Sequence, residues 1–261
     1  MKTSLSGRTA LVTGASSGLG VAFARELAGR GCALVLVARS DAPMQQLATE
    51  LRAAGVGVHV RPADLADANA REALAQGLAA DGIAIDVLIN NAGFGVFGAF
   101  ADTEWSRLDG MLAVDVVALT HLTRLFLPGM RERGFGRVLQ VASTGAFQPT
   151  PSYAAYAAAK SYVLEFSYAL DSELRGSGVR CTVVSPGVTA TQFLAVSGQR
   201  ATWYQRVTRM DAPAVACIGV NAMLGGRTGV VTGVVNAMMA HATRLMPRRI
   251  SAYVAGLLMR N

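Results

Sequence analysis

Seven short runs of β-branched and aliphatic residues alternate with longer helical patterns along this chain, and few architectures accept that rhythm. The runs are Thr9–Thr13, Ala33–Ala38, Val56–Arg61, Val87–Asn90, Arg137–Ala142, Arg180–Ser185 and Gly229–Thr232. Helical periodicity fills the intervals near 17–30, 41–54, 67–80, 104–133, 152–176 and 211–225, with Gly31, Gly55, Gly134 and Gly178 as stop signals. Strands joined by helices pair in parallel and are covered on both faces, so the sequence predicts a doubly wound α/β fold with a parallel sheet of about seven strands. With 261 residues, 52% of them apolar, the chain can bury one sizeable core, and no linker or repeat divides it. Residues 1–261 therefore read as one domain. Gly187 to Trp203 has no clear period and reads as a mobile loop or short helices over a site. Residues 234–261 form a basic, methionine-rich tail in which Pro247 breaks any continuous helix.

The polar residues 1–7 run straight into the first strand and leave no apolar stretch for a secretory signal, and no run has the uninterrupted apolar length of a bilayer span. A soluble, cytoplasmic protein is the expectation. Cys32, Cys181 and Cys217 are odd in number and never in C-x-x-C spacing, and His59, His121 and His241 are equally scattered, which argues against disulfides and a metal site. Of the 24 basic residues only Lys2 and Lys160 are lysines. Where charge alone is needed this chain uses arginine, so Lys160 calls for a specific reason.

The first strand ends in Thr13-Gly14-Ala15-Ser16-Ser17-Gly18-Leu19-Gly20, and a helical pattern starts at once. Strand, tight glycine turn and helix N-terminus bring backbone N–H groups and a helix dipole to a pyrophosphate, and glycine keeps Cβ atoms out of the approach. Gly14, Ser16, Ser17, Gly18, Leu19 and Gly20 are therefore candidate nucleotide contacts; a turn that only reverses the chain is the plainer alternative. The spacing is G-x-x-x-G-x-G, and no P-loop lysine follows. At the end of the second strand, Ala38-Arg39-Ser40 offers a guanidinium where a carboxylate would bind a ribose 2′-hydroxyl. This favours NADP(H) over NAD(H), unless Arg39 is merely a solvated residue.

In Ser152-Tyr153-Ala-Ala-Tyr156-Ala-Ala-Ala-Lys160, Tyr156 and Lys160 are four apart and share a helix face. A phenol titrates at about 10, too high for acid–base work at neutral pH, and a nearby ammonium lowers that value. Tyr156 can then exchange a proton with a substrate oxygen while hydride moves to or from the carbon. Ser143 follows the strand at 137–142, at the edge where parallel sheets hold ligands, and its hydroxyl can hold the same oxygen. It has no histidine or acid partner in a nucleophile-elbow pattern, which argues against acyl transfer. Tyr153, Tyr162 and Tyr168 have no lysine four residues on and read as packing or solvent-facing.

With Asp64, Asn90-Asn91-Ala92-Gly93 and Pro186-Gly187 followed by Thr191, these motifs resemble the short-chain dehydrogenase/reductase family in order and spacing along almost the whole chain. The resemblance implies a Rossmann sheet and hydride transfer between a nicotinamide and a carbonyl or alcohol. It also implies that Asp64 and Leu65 meet the adenine region, and that Asn91, Ala92 and Gly93 stabilise the sheet and border the cofactor. Lys160 would also bind the nicotinamide ribose, and Val188, Thr189 and Thr191, after Pro186 and Gly187, would hold carboxamide and phosphates. Family members usually carry an asparagine in the helix before Ser143, where Met111-Leu-Ala-Val-Asp115 places an aspartate. Asp115 adds a charge and removes an amide donor, leaving either a proton relay with altered pH dependence or a weakened catalyst. Phe94-Gly-Val-Phe-Gly98 and Phe147-Gln-Pro-Thr-Pro151 are similar to broad bacterial ketone and aldehyde reductases. A homodimer or homotetramer, paired through the helices near 104–133 and 152–176, is implied as well.

Phe94, Val96, Phe147, Phe193, Trp203 and Tyr204 are the candidate substrate pocket, and their apolar character points to a lipophilic ketone or aldehyde rather than a sugar. The net charge of +7 is uneven, because after Leu174 ten arginines face a single acid, Asp211. That excess suits an anionic substrate or an acidic membrane surface; without interleaved aromatics or a nucleic-acid motif it does not suit DNA or RNA. Met238, Met239, Leu245, Met246 and Leu257, with Arg244, Arg248 and Arg249, make the tail amphipathic and fit to meet the core, a partner subunit or a membrane surface. The sequence thus predicts an NADP(H)-dependent oxidoreductase acting on a small-molecule carbonyl or alcohol, with Ser143, Tyr156, Lys160 and Asp115 as catalytic candidates. An NADP(H)-binding sensor or scaffold with little turnover, and a membrane-surface lipid carbonyl reductase, are the alternatives.

Overall fold

In the computed structural model, which describes residues 4–259, seven strands pair into one parallel sheet. Lys2, Arg260 and the side chain of Tyr204 lie outside the described residues. The strands are β1 (Thr9–Thr13), β2 (Ala33–Ala38), β3 (Val58–Pro62), β4 (Val87–Asn90), β5 (Gly136–Val141), β6 (Val179–Ser185) and β7 (Gly229–Val231). The helices are α1 (Gly18–Ala28), α2 (Asp41–Ala53), α3 (Ala68–Ala80), α4 (Trp105–Leu112), α5 (Leu119–Glu132), α6 (Ala154–Glu173), α7 (Phe193–Ser197), α8 (Trp203–Val207), α9 (Ala212–Leu224), α10 (Val234–Ala242) and α11 (Arg248–Met259). Spatial order is β3-β2-β1-β4-β5-β6-β7. β1 lies between β2 and β4, so successive crossovers leave in opposite directions there and open a crevice at the strands' C-terminal edge.

Alternation along the strands divides the core into two layers. Ala10 and Val12 face one layer with Leu34, Leu36, Val87 and Ile89, under α1, α2 and α9. Leu11 faces the other with Val35, Val37, Leu88 and Val138, under α3, α5 and α6. Both sheet faces are buried, which is why the strands read as nearly continuous apolar runs.

The 104–133 pattern does not make one regular α-helix. Between α4 and α5 the chain passes through a π-helical segment, Ala113–Ala118, a geometry that gathers at functional sites because it re-aims side chains within a helix. The continuous stretch Trp105–Glu132, though interrupted by charges such as Asp115, is by length and composition long and apolar enough to cross a bilayer. Leu119, Leu122 and Met130 are nevertheless buried against the sheet, as in a covering helix of a crossover. A buried polar cluster clips it there: Asn90 Nδ2 donates to Thr123 Oγ1 and Gln140 Oε1, both at 3.0 Å, and Thr123 donates to Leu119 O at 2.7 Å.

Candidate active site

At the crevice one cleft of about 730 Å³ runs from the glycine turn to the C-terminal tail. Every sequence-predicted nucleotide contact except Gly20 lines it, from Gly14 through Arg39, Asp64 and Asn91 to Thr191. Gly14 and Gly18 hold φ values of +66° and +54°, which suit glycine. A Cβ on Gly14 would stand 2.8 Å from Asn91 Nδ2, and one on Gly18 3.0 Å from Thr191 Cγ2. Gly20 sits beneath, where a Cβ would run into the Gly14 carbonyl. The turn thus meets the cleft as bare backbone at a helix N-terminus, which fits a dinucleotide pyrophosphate. Thr13, not singled out from sequence, pins it: Thr13 Oγ1 accepts from the backbone N–H of Asn91 and of Ala92 at 2.9 Å and donates to Ile89 O at 3.1 Å.

Tyr156 and Lys160 do meet in this cleft, on α6, and Ser143 lines the same cleft. Ser143 Oγ accepts from the Gly145 N–H at 3.1 Å, which fixes its rotamer just past β5. The charges are arranged differently from the sequence expectation. Lys160 Nζ donates to Val141 O at 3.1 Å and forms an ion pair with Asp115 Oδ2 at 3.0 Å. Asp115, fully buried in the π-helical segment, accepts the Phe94 N–H on Oδ1 at 3.0 Å. Gly93 makes room, since a Cβ there would stand 2.8 Å from Oδ1.

Burial pushes the Asp115 carboxyl above the usual carboxylate range, and Lys160 pulls the other way. Burial, then the Asp115 charge, push the Tyr156 phenol up, with Ser143 opposing. Lys160 therefore does not draw the phenol down here, because its charge is met by Asp115 instead. Tyr156 is a protonated acid at neutral pH in this arrangement.

Of the six apolar pocket candidates, Phe94 and Phe193 line the cleft. Val96 is buried one layer deeper with Leu108 and Met111, beneath Phe94 and Tyr156. Phe147 packs on the cluster of Leu119, Ala142 and Val163 and stands edge-on to His241. Trp203, opening α8, is exposed and off the cleft wall. The tail lines the cleft as well, through Met239, Met246, Val254, Leu258 and Met259. A polar chain holds α7 and α8 over the cleft. The Tyr153 hydroxyl lies 2.8 Å from Ser197 Oγ and 3.0 Å from Gln199 Oε1, Gln205 Nε2 donates to Gln199 Oε1 at 2.8 Å, and Gln199 Nε2 donates to Met259 O at 3.3 Å. Asn236 and Ser251 also line the cleft, each with a buried oxygen that lacks a hydrogen-bond partner. Methionine enrichment was the only sequence signal for this wall.

Residues 8–201 match the model of the short chain dehydrogenase family. Ketoacyl reductase HetN from Nostoc sp. is 36% identical over 217 residues, which span 83% of this chain and 72% of that protein. A short-chain dehydrogenase from Sphingobium yanoikuyae in complex with NADPH aligns with a TM-score of 0.81 and 29% identity, over 92% of this chain and 95% of its own. A short chain dehydrogenase/reductase from Burkholderia phymatum in complex with NAD gives 0.82 and 25%, over 92% and 94%. With the parallel sheet, the glycine turn and the Ser143, Tyr156 and Lys160 side chains in one cleft, this chain belongs to the short-chain dehydrogenase/reductase family of nicotinamide-dependent oxidoreductases.

Proposed function

We propose that the protein is an NADPH-dependent reductase of lipophilic ketones or aldehydes. One observation carries the reading: the Tyr156 phenol, held protonated by its surroundings, lies in one cleft with Ser143, Lys160 and the glycine turn. The reduced nicotinamide supplies the hydride. Tyr156 donates its proton to the carbonyl oxygen, and the Ser143 hydroxyl holds that oxygen as charge develops on it. The phenolate left behind is reprotonated from solvent.

Arg39 at the end of β2, with no carboxylate beside it, supports NADPH as the partner. Phe94, Phe193, Met239, Val254 and Leu258 give the far end an apolar wall, in keeping with an alkyl or acyl chain and with the ketoacyl reductase among its relatives. Trp105, Val117, Tyr162 and Tyr168 are exposed on the α4 to α6 face, which supports a homodimer or homotetramer paired through it.

The test is NADPH oxidation across aldehydes, aliphatic ketones, steroids and acyl thioesters, run in parallel with NADH. Turnover of lipophilic carbonyls with NADPH is expected, and Arg39→Ala should raise the KM for NADPH by roughly tenfold to a hundredfold while leaving that for NADH unchanged. Indifference to Arg39→Ala removes the cofactor assignment, and a silent panel removes the reductase.

A further inference from the structure

We infer that the face built by α10, α11 and the turn between them docks on anionic phospholipid bilayers and opens the substrate end of the cleft toward the lipid. The docking stands on surface chemistry alone; the entry of a lipid-dissolved carbonyl compound by this route rests on the reductase reading.

Side chains that folded domains bury are turned outward here in one short segment. Leu245 is 91% exposed, Val234 77%, Met238 69% and Tyr253 67%. Single exposed apolar residues are ordinary, but such a concentration marks an interaction surface. Met239 and Val254 are both exposed and part of the cleft lining, so the apolar band borders the mouth of the cleft.

The polar residues of the segment identify the partner. Arg244, Arg248 and Arg249 are exposed among the apolar side chains, and Asp211 is the only acid anywhere after Leu174. Asn236 and Ser251 are buried, and Thr243 is half-buried with its hydroxyl donating to Ala240 O at 2.7 Å. Within 234–259, then, no acidic side chain and no neutral Ser, Thr, Asn or Gln is exposed. Arginine, aliphatic groups, His241 and one tyrosine make up this face, the chemistry of a bilayer interface with guanidinium groups at the phosphates and apolar tips below them. An interface with a protein carries a rim of neutral hydrogen-bonding groups, of which this face exposes only His241 and Tyr253. A second copy of the same face would bring arginine against arginine across a two-fold axis.

Co-sedimentation of the full chain with phosphatidylglycerol/phosphatidylcholine vesicles, without nucleotide or substrate, tests the docking. The protein should pellet with these vesicles at low salt, lose binding as salt rises, and bind pure phosphatidylcholine at least tenfold more weakly. Met238→Asp with Leu245→Asp, and separately Arg248→Glu with Arg249→Glu, should each weaken binding at least tenfold. Both double variants alter exposed positions off the cleft wall, so turnover of a short, water-soluble carbonyl should be unchanged while that of a long-chain carbonyl dissolved in vesicles falls. Protein that stays in the supernatant at low salt, or double variants that bind like the parent, would overturn the proposal. So would a dimer that dissociates on Leu245→Asp without any vesicle binding, which assigns the face to a second copy, or retention by an acidic protein but not by vesicles. Vesicle binding with no turnover of any carbonyl fails the reductase reading alone.

Discussion

An amide and a carboxylate differ by one heavy atom and a charge, and at Asp115 that difference sets the state of two other groups. The carboxylate holds the Lys160 ammonium at 3.0 Å and adds its charge to the burial that keeps the Tyr156 phenol protonated. Reduction uses the protonated phenol and should persist into alkaline solution; oxidation of the alcohol uses the phenolate and should rise only there. Asp115→Asn removes the charge that raises the phenol, so the alkaline fall of reduction and the alkaline rise of oxidation should both move to lower pH. Rate–pH profiles in the two directions measure this, and an unmoved or upward-moved limb counts against the assigned role. Tyr156 and Lys160 could be paired from sequence because four residues of helix bring them together. The Asp115 partnership could not, because the fold alone brings an α4–α5 residue to α6.

At the scale of elements, everything depends on how firmly α6 is seated, since it carries Tyr156 and Lys160. Its N-terminal approach runs through Ser152, the only described non-glycine residue with positive φ, at +65°, whose carbonyl accepts from the Gly98 N–H at 2.9 Å. At its other end Asp171 accepts from Arg180 Nε at 2.7 Å and Nη2 at 2.9 Å, from the Cys181 N–H at 3.0 Å and from Thr228 Oγ1 at 2.8 Å. Burial opposes ionisation of Asp171, but these donors prevail and hold its carboxyl below the usual range. A carboxyl lowered in the folded state stabilises fully above the ordinary aspartate range, and that contribution drains away as pH falls through the lowered value. Asp171→Ala should therefore lose roughly 1–3 kcal/mol at neutral pH in urea unfolding, with the gap to the parent closing in acid. Equal stability at neutral pH would show that the clamp contributes nothing. The extent of α6 was readable from its apolar period, and so were the strand ends beside it. The π-helical segment was not, because widening one turn leaves composition and gross period unchanged.

For the molecule as a whole, parallel pairing explains why so much of the site was legible. Motifs that follow strands must arrive at one edge of the sheet, so Gly14 after β1, Asn91 after β4, Ser143 after β5 and Gly187 after β6 line a single cleft. The tail side of the cleft was less legible because it depends on contacts between distant segments, such as Thr243 Oγ1 lying 3.2 Å from Phe147 O. Those contacts turn Phe147 into packing and bring the tail over the cleft, which no local pattern encodes. Whether the glycine turn and the Tyr156 phenol serve one reaction is tested most directly by Tyr156→Phe, through NADPH oxidation and NADPH binding measured on the same variant. It should bind NADPH within a few-fold of the parent while carbonyl reduction falls by roughly 10²–10⁴-fold; turnover close to that of the parent would contradict that shared role.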